Sequence, residues 1–240
     1  MRLRIENEDC DTMLISRDEQ YQIFNIGTKV YSCYCVTYQD KAVMIDCGPH
    51  YERDAIEKNL SKDFIFDIDA IILTHSHCDS ASNSEYFSML FNCPVYVMKD
   101  AVEIVKQGRP KRPPKDHPYI KKAGSAGNIV PKLPAFIPYE GCQHVLPLTR
   151  QIAEELLGKD VLLLTTPGHC EDHISLKLGD TALIGDCAQF NKRVLAPIFV
   201  DNEAQLARTW ETLIGLKCKQ YLCAHGRAFS AEEWLGQPIE

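Results

Sequence analysis

The chain has 240 residues, 45% hydrophobic and 25% charged, with a formal net charge of -7. That balance excludes a disordered, collagen-like or membrane-embedded chain. The acidic surplus argues against a broad basic face for nucleic acid. The first residues hold no apolar stretch of about 7–15 residues, so no secretory signal is expected. No run of about 18 apolar residues occurs, so no membrane partner is expected either. The expectation is a cytoplasmic protein whose 11 cysteines are mostly reduced thiols, buried as small hydrophobes.

The N-terminal part reads as short strands rich in β-branched and aromatic residues, at Met13–Ser16, Tyr21–Asn25, Tyr31–Tyr38 and Lys41–Ile45. Gln39-Asp40 predicts a hairpin, and Asp46-Cys47-Gly48-Pro49 a turn. A helix over Tyr51–Asn59 follows, then a compact apolar strand at Ala70–Leu73. Ser82–Phe91 reads as a helix, Val95–Met98 as a strand and Ala101–Lys106 as a helix. From about 107 to 139 the texture changes, because Pro110, Pro113, Pro114, Pro118, Pro131, Pro134 and Pro138 fall there. Proline fixes φ and removes backbone donors, so this segment predicts a structureless loop, either a functional lid or a mobile segment. Thr149–Leu157 reads as a helix, and Val161–Thr165, Ile174–Lys177 and Thr181–Ile184 as strands. Helix Ala204–Leu216, strand Gln220–Cys223 and helix Ala231–Leu235 complete the chain.

Five of the eight histidines sit in polar loops directly after apolar strands. The first such loop is Thr74-His75-Ser76-His77-Cys78-Asp79-Ser80. The second is Thr166-Pro167-Gly168-His169-Cys170-Glu171-Asp172-His173. Gly185-Asp186-Cys187 and Ala224-His225-Gly226 are the third and fourth. Strand ends in α/β folds converge on one edge, so these four clusters can meet in space. Imidazole and carboxylate groups suit a transition metal, with an open position left for catalysis. In an extended segment residues i and i+2 point the same way, so His75 and His77 can reach one ion.

Through LTHSHCDS, TTPGHCEDH, LIGDC and CAHG, in that order, the sequence resembles the metallo-β-lactamase superfamily. The MIDCG strand end matches as well, where the family places a supporting Asp. The resemblance covers nearly the whole chain. It implies an α/β fold, a four-layer αββα sandwich of two mixed β-sheets, as a single domain over 1–240 with a Pro-rich basic insertion at about 107–139. It implies a first metal site of His75, His77 and His169, with Asp79 and His225 serving a second. Asp186 matches the carboxylate that bridges two metals, and Cys187 the position of a cysteine ligand in class B1 β-lactamases. The two stand side by side, so the second site's ligand is open. Much of the family carries a histidine where Ser80 stands, and a neutral hydroxyl is a poor zinc ligand.

The implied cofactor is Zn²⁺, as one or two ions, with Fe²⁺ as the alternative. The implied activity is a metal-dependent hydrolase, using metal-activated hydroxide on a small ester, thioester, lactone or amide. Asp79 is the residue expected to orient or deprotonate the water. A β-lactam is not the expected substrate, since Phe190 stands where class B1 enzymes place a substrate-binding lysine. The alternatives are a mononuclear iron persulfide dioxygenase-like oxidoreductase and a non-catalytic metal-binding module. A small-molecule substrate is expected as partner, with no nucleic acid, and the oligomeric state is not fixed. Lys106, Arg109, Lys111, Arg112, Lys115, Lys121 and Lys122 make a local basic stretch, which reads either as a solvated loop kept soluble by its charge or as a flap that would suit an anionic substrate. His173 reads either as a group beside the site or as a surface turn histidine.

Overall fold

The computed structural model describes residues 14–17, 20–113, 117 and 134–236. The first sheet has seven strands, in the order β1 (Leu14–Arg17), β2 (Tyr21–Asn25), β3 (Tyr34–Tyr38), β4 (Lys41–Ile45), β5 (Ala70–Ile72), β6 (Val95–Val97) and β7 (Val145–Pro147). The pairs from β1 to β4 are antiparallel and those from β4 to β7 parallel. Parallel neighbours need crossovers. These carry helix α1 (Arg53–Lys62), helices α2 (Cys78–Ala81) and α3 (Ser84–Phe91), and helix α4 (Val102–Gln107).

After helix α5 (Arg150–Leu157), the chain builds a second sheet from β8 (Leu162–Thr165), β9 (Ile174–Leu178) and β10 (Thr181–Gly185). A two-stranded ribbon, β11 (Gln189–Asn191) and β12 (Arg193–Leu195), precedes helix α6 (Glu203–Gly215). Strand β13 (Gln220–Cys223) then pairs parallel to β10, and helix α7 (Ala231–Leu235) follows. The second sheet runs β13-β10-β9-β8 and is also mixed.

The two-residue side-chain period of a strand sorts the layers. Met44 and Ile71 face a core shared with Ile56 of α1 and Phe87 of α3. Their neighbours Val43, Ile45 and Ile72 face the opposite way, against Leu176, Leu183 and Leu222 of the second sheet. Ala182, Ile184 and Tyr221 face outward onto Leu213 of α6 and Trp234 of α7. The result is the expected four-layer αββα sandwich of two mixed sheets. Most expected elements stand within two or three residues of their sequence bounds.

Three differences have physical causes. The strand expected over Tyr31–Tyr38 begins only at Tyr34, because residues 26–33 close a loop. Ile26 N–H donates to Cys33 O at 2.9 Å, and Ser32 N–H to Ala224 O at 2.7 Å. Strand β7 ends in Pro147, which a strand tolerates only at a sheet edge. The β11–β12 ribbon is too short and too polar to show a period. Among the described residues no helix is long and apolar enough to cross a membrane.

The ten described cysteines are free and buried. Eight of them fill apolar cores: Cys33, Cys35, Cys47, Cys93 and Cys142 beneath α1, α3 and α4, and Cys187, Cys218 and Cys223 under α6 and α7.

Candidate metal centre

Strands β4, β5, β8, β10 and β13 all end on one edge of the sandwich, and each delivers one polar cluster there. The two sheets meet at that edge, where Ile174 N–H donates to Thr74 O at 2.8 Å.

Within this rim, one ligand atom from each of His75, His77 and His169 falls within 4.8 Å of the others. His77 Nδ1 lies 2.9 Å from His169 Nε2. His75, Asp79 and Asp186 form a second group at the same limit. Asp186 Oδ2 is 3.4 Å from His169 Nε2 and 3.9 Å from His75 Nε2. His225 Nε2 is 3.4 Å from Asp186 Oδ1 and 3.6 Å from Asp79 Oδ2. Two ligand atoms that each sit about 2.1 Å from one ion are at most about 4.2 Å apart, and all five of these separations are shorter. The structure therefore brings together His75, His77, Asp79, His169, Asp186 and His225.

The ring nitrogens that face away from the cluster are held. Asp46, at the end of β4, accepts from Thr74 N–H and from Thr74 Oγ1–H, each at 2.7 Å. The Thr74 hydroxyl proton is thus committed to the carboxylate, and its oxygen accepts from His75 Nδ1 at 3.0 Å. That leaves His75 Nε2 as a lone pair aimed into the cluster, the arrangement by which outer partners fix a ligand's tautomer. His169 Nδ1 donates to Phe199 O at 2.8 Å, and His225 Nδ1 to Val30 O at 3.1 Å. Ser80 does not face the cluster as a ligand, because its hydroxyl donates to Asp46 Oδ1. Asp46 has a φ of 59°, a left-handed conformation that Asp tolerates better than most residues.

The backbone of the first histidine loop is gripped from both sides. Ser76 N–H donates to Asp172 Oδ2 and Tyr139 Oη–H donates to Ser76 O, both at 2.9 Å. Gly168 lets the second histidine loop pass α6 at close range. A Cβ there would lie 2.5 Å from the Leu206 backbone, at a φ of +137°.

Burial sets the charges. It pushes His77 down to about 3 and holds His75 well below its ordinary value, so both rings are neutral ligands. Burial acts to raise Asp186, but the His225, His169 and His75 rings around it hold it well below the carboxylate range. Burial likewise acts to lower His225, yet Asp186 and then Asp79 push it up to about 12.

The residues fit a divalent cation. His75 Nε2, Asp79 Oδ1 and Asp186 Oδ1 are buried with no hydrogen-bond partner. A buried polar atom left unpaired costs about 1–3 kcal/mol. Three such atoms gather here, of which Asp186 Oδ1 has a charged neighbour, His225 Nε2 at 3.4 Å. The crevice among Tyr31, His75, Asp79, Asp186 and His225 holds about 10 Å³, room for one water-sized particle.

Cys187 does not join them. The chain turns at Gly185, with a φ of +47°, and sends Asp186 into the cluster and Cys187 to its far side. The Cys187 Sγ lies 3.4 Å from His173 Nδ1 and 3.6 Å from Ser175 Oγ. Burial pushes this thiol up to about 12, so it is not a thiolate. Of the two side-by-side candidates, only the carboxylate faces the other ligands. His173 is no surface residue either: it is fully buried behind Asp186.

The sequence reading missed Asp172, Tyr139, Tyr31, Phe136 and Phe199. The Tyr31 ring packs edge-on against His225 at 5.3 Å, and the Phe136 ring against His77 at 5.0 Å. Isolated aromatics in loops carry no periodic signal, so only the fold reveals them. A groove of about 880 Å³ opens beside His77 and Phe199, with Lys111, Arg112, Asp100, Asp172 and Asp201 among its lining residues. Lys111 is paired with Glu171 at 2.5 Å, so the basic stretch is partly neutralised. Lys115, Lys121 and Lys122 lie outside the described residues.

Residues 26–225 match the family described as the Metallo-beta-lactamase superfamily. A probable metallo-hydrolase of Methanocaldococcus jannaschii is 28% identical over 146 residues, 61% of this chain. The chain spans 62% of that relative's length over the match. A metallo-beta-lactamase superfamily protein from Sulfolobus tokodaii superposes with a TM-score of 0.63 at 17% identity, over 92% of this chain and 85% of that one. A metallo-beta-lactamase family protein from Thermus thermophilus gives 0.61 at 20% identity, over 86% and 73%. At these identities the solved structures speak for the fold.

Proposed function

The chain belongs to the metallo-beta-lactamase superfamily, and from that premise we propose that it is a zinc-dependent hydrolase of small ester, thioester, lactone or amide substrates. The single observation that carries this reading is the set of three buried lone-pair atoms on His75, Asp79 and Asp186 that no hydrogen bond satisfies, inside a ring of three further histidines.

His75, His77 and His169 would hold a first ion, and Asp79, Asp186 and His225 would hold a second. The donors are imidazoles and carboxylates, which zinc accepts. A divalent ion bound there lowers the pKa of its water and polarises a carbonyl oxygen. The chain's own residues do the rest. Asp79 Oδ1, buried and unpaired, orients the attacking water and takes its proton. Asp46, through Thr74, keeps the His75 Nε2 lone pair on the cluster. Phe136 and Phe199 cover His77 and limit solvent around it.

A groove of about 880 Å³ suits a small molecule. Its walls carry both signs of charge, so a zwitterionic or weakly anionic substrate suits it better than a polyanion. We read the chain as one domain with a Pro-rich insertion at about 107–139, of which Lys111, Arg112, Pro113 and His117 line the groove. The free, buried thiols suit the reducing cytoplasm.

The test is reconstitution with zinc, followed by turnover on a panel of chromogenic esters, thioesters and lactones. His77→Ala is expected to lose bound metal and to lower turnover by more than about 100-fold. Unchanged turnover on a substrate the wild type hydrolyses would sink the reading. Iron in the purified protein, with oxygen consumption on glutathione persulfide, would replace it with an oxidoreductase.

A further inference from the structure

The buried ring of His173 belongs to none of the groups above. We propose that His173 is a positioning residue that fixes Asp186 in the second half of the metal cluster, beside Asp79 and His225. The proposal rests on the metal reading just given.

Asp186 follows β10, where the register with β13 slips between Leu183 and Gly185. The slip removes Asp186 from the regular ladder, so its N–H needs another acceptor. His173 Nε2 supplies it, with Asp186 N–H donating at 3.0 Å. A nitrogen that accepts cannot carry a proton, so the neutral ring holds its proton on Nδ1. Nδ1 lies 2.9 Å from Thr166 Oγ1, which in turn lies 2.9 Å from Ser175 Oγ.

The fit is tight on the other faces too. The His173 ring stacks on His75 at 5.2 Å, with 29° between the planes. A Cβ on Gly185 would lie 2.7 Å from His173 Nε2 and 2.7 Å from Thr74 Oγ1. The holder of Asp186 and the holder of His75 therefore close on the same glycine. No side chain at 185 leaves room for both.

The first ion has three imidazoles of its own, whereas the second depends on the Asp186 carboxylate for one of three ligands. Loss of the His173 acceptor should therefore weaken the second ion selectively. The test titrates metal-free protein with Zn²⁺ against a chromophoric chelator, for wild type, His173→Leu and His173→Gln. Leu fills the space without an acceptor, and the Gln amide oxygen can accept from Asp186 N–H.

In His173→Leu the first equivalent should bind within about threefold of wild type, and the second at least about tenfold more weakly. His173→Gln should recover most of that loss. Equal binding of both equivalents by His173→Leu would overturn the proposal, as would a Gln variant no better than Leu. Wild-type protein that takes up no zinc would overturn the metal reading and this inference together. Should His173→Leu fail to fold, ring ¹⁵N spectra of the wild-type protein decide: a proton on Nδ1 supports the proposal, and a proton on Nε2 overturns it.

Discussion

The two halves of the metal cluster are built differently. The His75, His77 and His169 side chains are almost completely buried, and burial keeps the His75 and His77 rings neutral, with the outer nitrogens of His75 and His169 tied to Thr74 and to a backbone carbonyl. The Asp79, Asp186 and His225 half is charged and more open, with the His225 side chain 24% exposed. The first half is a preorganised set of buried imidazole donors that needs little rearrangement to take an ion. In the second, an ion pair between His225 and the two carboxylates must give way before a cation enters. Preorganisation on one side and an internal competitor on the other predict sequential binding of two ions, the first tighter than the second.

The largest effect should come from the buried half. His75→Ala removes a neutral donor and the end of the Asp46–Thr74 relay, and should lower first-ion affinity by more than about 100-fold, measured by chelator competition. His225→Ala should leave the first ion within about threefold and weaken the second by about tenfold or more. Equal loss of both ions in this variant would break the division into halves. Thr74→Val keeps the volume but frees His75 Nδ1, and should weaken the first ion by about tenfold, the size usual for outer partners of a ligand. Smallest is Arg112→Glu on the groove wall. An exposed charge contributes about 0–1 kcal/mol, so KM for an anionic ester should rise by less than about fivefold, with kcat unchanged.

What the sequence could and could not show follows from the same contrast. His75, His77, Asp79, His169, Asp186 and His225 were legible because each sits in a short polar loop just after an apolar strand. Strand-end loops in a two-sheet fold have one place to go. The sandwich was legible for a related reason: strands such as Lys41–Ile45 alternate between two apolar faces, Met44 toward the helices and Val43 and Ile45 toward the other sheet.

The choice between Asp186 and Cys187 was not legible. Adjacent residues differ in direction through the backbone conformation of Gly185, and glycine's wide conformational freedom hides that conformation from the sequence. His173 was ambiguous because its role depends on Asp186 N–H, a backbone group that every residue except proline carries. The groove's mixed charge was hidden as well, since Lys111 finds Glu171 sixty positions away.

The most direct test of the central claim is anomalous diffraction at the zinc edge from crystals of the zinc-reconstituted protein. The account predicts one strong peak bounded by His75, His77 and His169, and a second, weaker one bounded by Asp79, Asp186 and His225. Absence of anomalous density within this cluster, or zinc held by Cys187 in place of Asp186, would contradict it.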